Sequence, residues 1–280
     1  MFDRIQRSFD LVGASARVLR QDKHLLLFPI IAGVSLLLVL ATFALPVVGF
    51  ASFDAIGRRG LYSVGFLFYV IQYFVIFYFN AALVGAVMIR LDGNEPTLGD
   101  GLRIANGRIG TIFGYAVIAA TVGVILRAIE ERAGFVGRLI AGLLGAGWSL
   151  STTLAVPVIV TRDRGPLDSI AESADLFKRT WGENVVGNAG IGIAFAFAYF
   201  VLVLVTTGLA MAVPSIGGMA GKALFTLSIA AVVLAFLTCI LLHATLGGIY
   251  AAVLYRYAVD GDDALGFGGD VLDGAFRQKS

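Results

Sequence analysis

Apolar residues fill six long stretches of the chain, and the charged residues lie between them. None of these stretches contains Asp, Glu, Lys or Arg, and they cover residues 25–50, 61–89, 109–126, 139–161, 185–213 and 223–255. A helix crosses the hydrocarbon core of a bilayer with about 20 apolar residues, and one charge at its centre costs roughly 2.5–3.5 kcal/mol on insertion. Chance would not keep the charges out of six such windows, so the pattern predicts six transmembrane helices.

The segments before the first, third and fifth spans are amphipathic. Apolar residues recur there at intervals of three and four: Phe2, Ile5, Phe9, Val12, Ala16 and Leu19; Leu98, Leu102, Ala105 and Ile109; Leu167, Ile170, Ala174, Phe177 and Trp181. This period predicts helices that lie in the membrane interface with their polar faces towards water. Thr97 followed by Asp100 predicts a capping box, and Pro166 suits a first helical turn.

Each amphipathic helix followed by two spans forms one unit of a predicted repeat. Three units cover residues 1–89, 96–161 and 166–257, which together make a single membrane domain. Units of two spans keep one direction across the bilayer, so the repeats would be parallel. We therefore expect an all-α, polytopic membrane protein, a pseudo-threefold bundle with three interfacial helices. Alternatively, the three helices resemble one another only because each lies at an interface.

Lys and Arg residues are concentrated on one side of the predicted spans. Fifteen of the 21 lie in the two tails and the two longer loops, which share a side because an even number of spans separates them. The positive-inside rule places this side in the cytoplasm. We expect a multi-pass protein of the cell membrane with both termini cytoplasmic, and residues 258–280 as a disordered, acidic, Gly-rich cytoplasmic tail.

The composition agrees with a membrane protein and excludes several other classes. Hydrophobic residues make up 58% of the 280 residues and charged residues 14%, against about 25% charged in soluble domains. The net charge of +2 is too balanced for a nucleic-acid binder. Cys239 is the single cysteine, and His24 and His243 are the two histidines, which excludes a disulfide framework and a multi-cysteine metal cluster. We expect no cofactor and no metal.

Catalytic and nucleotide-binding motifs are missing from the sequence. There is no GxSxG, HExxH or EF-hand pattern. The stretch 217–223 is a near miss for a P-loop, but Ile216 replaces the first glycine and Ala223 replaces the residue that would hold Mg²⁺. Acid, base and nucleophile do not cluster anywhere along the chain, so we expect that the protein is not an enzyme.

Few polar side chains lie within the predicted spans. The candidate functional residues there are Gln72, Asn80 and His243, because polar groups in a membrane are costly and often functional. His243 follows Cys239 by four residues, but two ligands do not hold a metal, and we favour a neutral, hydrogen-bonded histidine. The spans contain no Asp or Glu for proton coupling and no Arg or Lys to bind an anion, which argues against ion-coupled transport.

The first and third amphipathic helices carry candidate contacts for lipid headgroups or a protein partner. These are Arg4, Arg7, Arg17, Arg20, Lys178, Arg179 and Trp181. Cationic side chains at an interface attract anionic lipids, while the preferred interpretation of Trp181 is a simple headgroup anchor. We expect membrane lipids as partners and leave a protein partner or a second copy open.

Small and aromatic residues predict how the spans pack. Small residues recur every four positions as Ala141, Gly145 and Ser149; Gly190, Ala194 and Ala198; Ala244, Gly248 and Ala252. Such series let helices approach closely in lipid. The second span has nine aromatic residues between Tyr62 and Phe79, which we interpret as packing and interface anchoring, with an aromatic-lined lipid groove as the alternative.

Two motifs resemble a known family. The segment 157–171 (PVIVTRDRGPLDSIA), which continues into 176–184 (LFKRTWGEN), and the segment 17–29 (RVLRQDKHLLLFP) resemble an uncharacterised prokaryotic family of six-span membrane proteins. The chain is more distantly similar to the membrane domain of some bacterial glycerophosphodiester phosphodiesterases. The resemblance implies a topology and no activity. Mitochondrial carriers also have three two-span repeats, but their motif is absent here, because Ala171 stands where it needs a basic residue.

The sequence therefore favours a non-enzymatic scaffold that organises lipid or partner proteins. The alternative is a transporter or channel for an apolar or weakly polar solute, lined by the second and sixth spans. A wet path through the bundle would favour the transporter, and a dry, filled interior would favour the scaffold.

Overall fold

The computed structural model describes residues 18–49, 53–132, 134–179, 181–212 and 218–260. A short 3₁₀ turn, Lys23–Leu26, precedes nine α-helices in this part of the chain. The helices are α1 Leu27–Gly49, α2 Phe53–Leu91, α3 Leu98–Gly107, α4 Ile109–Arg132, α5 Gly134–Ser151, α6 Ala155–Thr161, α7 Pro166–Arg179, α8 Trp181–Ala212 and α9 Gly218–Asp260. The described residues contain no strand, which confirms the all-α prediction for them.

Six segments are long and apolar enough to cross a membrane, and they match the six charge-free stretches. They are Lys23–Ala44, Tyr62–Leu91, Ile109–Arg132, Gly134–Thr161, Gly190–Met211 and Ala223–Arg256. Helix α9 continues to Asp260, so the first residues of the predicted tail 258–280 are helical. Residues 261–280 lie outside the described part of the chain.

The chain divides into two compact units. Of the described residues, the larger comprises 23–49, 53–132, 134–179, 181 and 248–260, and the smaller comprises 18–22, 182–212 and 218–247. Helices α1 to α7 and the end of α9 thus build the larger unit. Most of α8 and α9 builds the smaller one.

Helix α2 is the centre of the larger unit. It packs against α1, α3, α4 and α6, and every residue from position 81 to 88 is buried. Small residues make this packing close: a Cβ added to Gly248 of α9 would lie 2.5 Å from Leu83 Cδ2. The small-residue series of the sixth span therefore includes a real contact with α2, as close helix packing in lipid requires.

Aromatic side chains join α2 to its neighbours. Ring centroids are 5.2 Å apart for Phe43 and Phe68, 5.8 Å for Phe74 and Phe113, and 4.4 Å for Phe77 and Tyr115. These pairs connect α2 to α1 and α4. Phe68, Phe74 and Phe77 of the second span thus pack against other helices, whereas Tyr62 and Phe66 are exposed.

The fourth span is broken into α5 and α6. The helix ends at Ser151, and a new helix begins at Ala155 with Pro157 in its first turn. Proline has no N–H, and its ring clashes with the carbonyl four residues earlier, which here belongs to Thr153. A continuous helix through this point is therefore unfavourable, and the break falls where the proline requires it.

In the smaller unit, α8 and α9 pack through aromatic rings. Phe195 stacks on His243 at a centroid distance of 4.4 Å, and Tyr199 stacks on Phe236 at 6.3 Å. Large apolar side chains cover the remaining surface of the pair, among them the exposed Phe197, Leu204, Leu227 and Leu234. Such a surface suits contact with hydrocarbon rather than water.

Candidate functional site

Side chains bond backbone groups at the break between α5 and α6. The Leu154 backbone N–H donates to Ser173 Oγ of α7 at 3.1 Å, in a buried position. The hydroxyls of Thr152 and Thr153 donate to Trp148 O at 2.8 Å and Ser149 O at 2.9 Å, in the preceding turn. Backbone groups at membrane depth need such partners, because an unsatisfied one costs several kcal/mol.

Two further helices meet at this junction, which we define as residues 152–154 with Ser169 and Ser173. Helix α4 contacts α7, and Tyr115 of α4 is buried. Ser169 Oγ donates to Gly165 O at 2.9 Å, within the first turn of α7. Helix α7 therefore buries two small hydroxyl residues, of which Ser173 bonds the broken span and Ser169 bonds the start of its own helix.

The buried face of α7 differs from the face that periodicity predicts. Ser169 and Ser173 are fully buried, whereas Leu167, the first residue of the predicted apolar series, is 68% exposed. Phe177 of that series is buried, beside Leu176. The reason is that α7 contacts protein instead of lying only on lipid, and close docking on α6 favours small side chains that can hydrogen-bond.

Ion pairs link loops that are distant in sequence and together form a charged layer. Arg256 Nη1 lies 2.6 Å from Asp92 Oδ1, and Arg108 pairs with Asp163. Glu172 of α7 lies 3.6 Å from Arg162 and 3.3 Å from Arg164. The α2–α3 loop, the α6–α7 loop and the end of α9 therefore lie at one end of the larger unit.

Helix α3 begins at the charged layer with the predicted capping box. Asp100 N donates to Thr97 Oγ1 at 3.2 Å, and Thr97 N donates to Asp100 Oδ2 at 3.1 Å. The hydrogen bond from the Thr97 side chain, with a smaller part from Arg103, lowers the pKa of the Asp100 carboxyl. Tight packing fixes the helix further, since a Cβ on Gly101 would lie 2.5 Å from both Ala82 O and Phe28 Cζ.

The structure places the candidate intramembrane residues in different surroundings. Asn80 faces α9, with Oδ1 3.2 Å from the position of a Cβ on Gly248. Gln72 is half-buried two turns earlier on α2. His243 belongs to the smaller unit, where its ring stacks on Phe195 at an interplanar angle of 12°.

The candidate interfacial residues are only partly described. Arg20 is exposed, and the exposed Lys178 donates to Asp175 at 3.1 Å. Residues Arg4, Arg7 and Arg17, and the side chains of Arg179 and Trp181, lie outside the described part of the structure. Their contacts with lipid or a partner stay predictions.

Sequence reasoning missed the junction. One signal was present: Pro157 inside an apolar stretch indicates an interrupted helix. Ser169 and Ser173, four residues apart on a helix, are a second signal of a polar docking face. The hydroxyls at the junction take part in hydrogen bonds, and no group of three or more potential metal ligands occurs among the described residues.

One comparison with known proteins gives a match. Residues 60–266 fit the model of a family whose description is "Family of unknown function (DUF6159)". The matched range includes both short amphipathic helices, the junction and five of the six spans. No curated protein and no solved structure matches the chain. Because the match covers well over half of the chain, this protein belongs to the DUF6159 family of unknown function.

Proposed function

We propose that the protein is a non-enzymatic membrane scaffold that organises lipids, or partner proteins, around its helices. The observation that carries this proposal is the closely packed apolar interior of the larger unit. Residues 81–88 of α2 are all buried, and the large apolar residues of 154–159 are at most 6% exposed. A filled interior favours a protein that acts through its outer surface.

The outer surface suits that role. Large apolar side chains are exposed along α5, including Phe135, Leu139 and Leu143, and along α8 and α9. Buried polar side chains are few in the described residues, and Ser169 and Ser173 are already hydrogen-bonded. The protein thus presents apolar surface to lipid or to another membrane helix.

We further propose a multi-pass topology in the cell membrane, with both termini and the charged layer on the cytoplasmic side. The ion pair between Asp92 and Arg256 supports one shared side for the α2–α3 loop and the end of α9. The excess of Lys and Arg in the same segments supports the cytoplasm. Three parallel repeats in a pseudo-threefold arrangement, and the distant similarity to glycerophosphodiester phosphodiesterase membrane domains, belong to the same proposal.

One observation favours a transporter as the second candidate. Discontinuous membrane helices in transporters often expose backbone groups to solutes at the break, and the fourth span is broken at 152–154. Against this, the Leu154 N–H is occupied by Ser173, and Thr152 and Thr153 bond to their own helix. The scaffold therefore has the stronger support.

Thiol labelling separates the two candidates. In a Cys239→Ala background, Val84→Cys and Val158→Cys place a thiol in the packed interior, and Asn94→Cys places one in an exposed loop. The reconstituted protein is treated with a membrane-impermeant thiol reagent applied to both faces. A scaffold predicts that the interior thiols react about 100-fold more slowly than Asn94→Cys, because labelling requires local opening. Comparable rates would show a wet path and favour the transporter.

The lipid part of the proposal needs its own measurement. Spin-labelled phospholipid in reconstituted vesicles reports the fraction of lipid that the protein immobilises. We expect a larger immobilised fraction for phosphatidylglycerol than for phosphatidylcholine, since the cytoplasmic segments carry most Lys and Arg residues. Equal fractions would contradict selective organisation of lipid.

A further inference from the structure

Arg90 stands out among the charged residues of the larger unit. It lies in the last turn of α2 and is half-buried. Its Nε atom is buried without a hydrogen-bond partner, and no ion pair of this arginine occurs in the part of the chain that the structure describes. A buried guanidinium nitrogen ordinarily has an acceptor, because arginine stays charged and its donors must be satisfied.

The neighbouring cations differ from Arg90. Each other Arg or Lys described between 90 and 108, between 162 and 178, and at 256 has a carboxylate within 4.0 Å; these are Arg103, Arg108, Arg162, Arg164, Lys178 and Arg256. Asp92, two residues after Arg90, is paired with Arg256. The charged layer thus leaves one cation without a counter-charge among the described residues.

The position of Arg90 points to a counter-charge outside the protein. The second candidate span is Tyr62–Leu91, so Arg90 lies at its boundary, where the headgroups of a bilayer are found. Phosphodiester oxygens are the anions available at that depth, and a guanidinium binds them through two parallel N–H groups. We propose that Arg90 is part of a binding site for the phosphate of an anionic phospholipid.

This binding site deepens the proposed function. It rests on one part of that function, namely that the protein organises lipid. Binding at Arg90 is measured in detergent, whereas the scaffold is tested by labelling and lipid order in bilayers. Either can therefore fail alone. A transporter would hold such a lipid equally well.

A simpler explanation of Arg90 is the dipole of α2. A cation in the last turn of a helix is favourable there, and this contribution does not depend on which lipid is present. A dependence on lipid identity that requires Arg90 therefore separates the binding site from the dipole.

The test uses the full chain purified in a maltoside detergent, which contains no phosphate. Thermal unfolding is followed while phosphatidylglycerol, phosphatidylcholine or inorganic phosphate is added. Arg90→Gln removes the charge, and Arg103→Gln is the matched control, because Arg103 is exposed and already paired with Asp100. We expect phosphatidylglycerol to stabilise the wild type and the control alike, and its apparent affinity for Arg90→Gln to be about fivefold weaker.

Three results would overturn the proposal. These are equal responses of the wild type and Arg90→Gln, an equal loss in Arg103→Gln, and stabilisation by inorganic phosphate that matches the effect of phosphatidylglycerol, which would assign the site to free phosphate. If Arg90→Gln does not fold, Arg90→Lys replaces it. Lysine keeps the charge but lacks the planar fork, so we expect its apparent affinity for phosphatidylglycerol to fall below that of the wild type. A wild-type affinity in Arg90→Lys would contradict binding of the phosphate by the guanidinium.

Discussion

Gly101 shows how one missing side chain fixes a helix position. A Cβ there would meet a backbone oxygen, Ala82 O, which cannot move as a side chain can. At Gly107, in the same helix, an added Cβ would have no atom within 4 Å. The same residue type therefore has opposite requirements at the two ends of α3.

We predict opposite effects for the two alanine substitutions in α3. Gly101→Ala should lower the free energy of unfolding by about 1–3 kcal/mol, because the added methyl overfills a packed contact. Gly107→Ala should be neutral or stabilising by up to about 1 kcal/mol, because alanine favours a helix. Thermal unfolding in detergent measures both, and equal effects would contradict the close contact of α3 with α2.

Asp100 makes the stability of α3 depend on pH. Its carboxyl pKa is lowered from 3.8 by the hydrogen bonds of Thr97, so the folded state favours the carboxylate. A lowered pKa contributes stability above the ordinary value and loses it as the pH falls towards the folded value. The stability advantage of the wild type over Asp100→Asn should be constant from about pH 7 to 5 and shrink below about pH 4. An advantage that grows in acid would contradict the capping box.

At the scale of elements, charge-free stretches and helix-start residues were sufficient to predict most of the helices. Each of the six apolar windows predicted a helix correctly. The start of α3 was predicted correctly by Thr97 with Asp100, and the start of α7 by Pro166. They succeed because insertion energy and helix capping act within a few neighbouring residues.

The junction could not be predicted in the same way. Leu154 and its partner Ser173 are 19 residues apart, and their contact depends on how α7 docks. The buried face of α7 was likewise assigned by apolar period, whereas tertiary contacts selected the serine face. The sequence did not single out Arg90, because the lack of a partner for its Nε atom among the described residues is visible only in the structure.

Two leucines of α7 distinguish the observed face from the predicted one. Leu176 is 9% exposed and Leu167 is 68% exposed, yet periodicity placed Leu167 on the apolar face and omitted Leu176. Leu176→Ala should cost about 2–5 kcal/mol, as expected for a buried leucine, and Leu167→Ala within about 0.5 kcal/mol. The reverse order in detergent unfolding would restore the face that the sequence suggested.

Ser173→Ala tests the docking of α7 on the broken span. It removes the acceptor of the buried Leu154 N–H, which should lower stability by about 1–3 kcal/mol. Ser228→Ala is the control, because that hydroxyl donates to Phe225 O of its own helix. A loss no larger than that of the control would show that the hydrogen bond at the junction is dispensable.

At the scale of the whole molecule, the proposed topology depends on the apolar spans and on the charged loops between them. In the charged layer, the ion pair of Asp92 and Arg256 joins the α2–α3 loop to the end of α9. The ion pair of Arg108 and Asp163 joins the end of α3 to the α6–α7 loop. Two spans separate the α2–α3 loop from the α6–α7 loop, and two more separate the α6–α7 loop from the end of α9. If the six helices cross a bilayer, a shared side for these loops is the required arrangement.

The most direct test of this account is the sidedness of single thiols in a Cys239→Ala background. Asn94→Cys and Asp168→Cys lie near the charged layer, and Glu130→Cys lies at the far end of α4; all three positions are exposed. In intact cells, an impermeant thiol reagent should label Glu130→Cys alone, and the other two only after the membrane is opened. Labelling of residues 94 and 168 from opposite faces, or of all three from outside, would contradict six spans with a cytoplasmic charged layer.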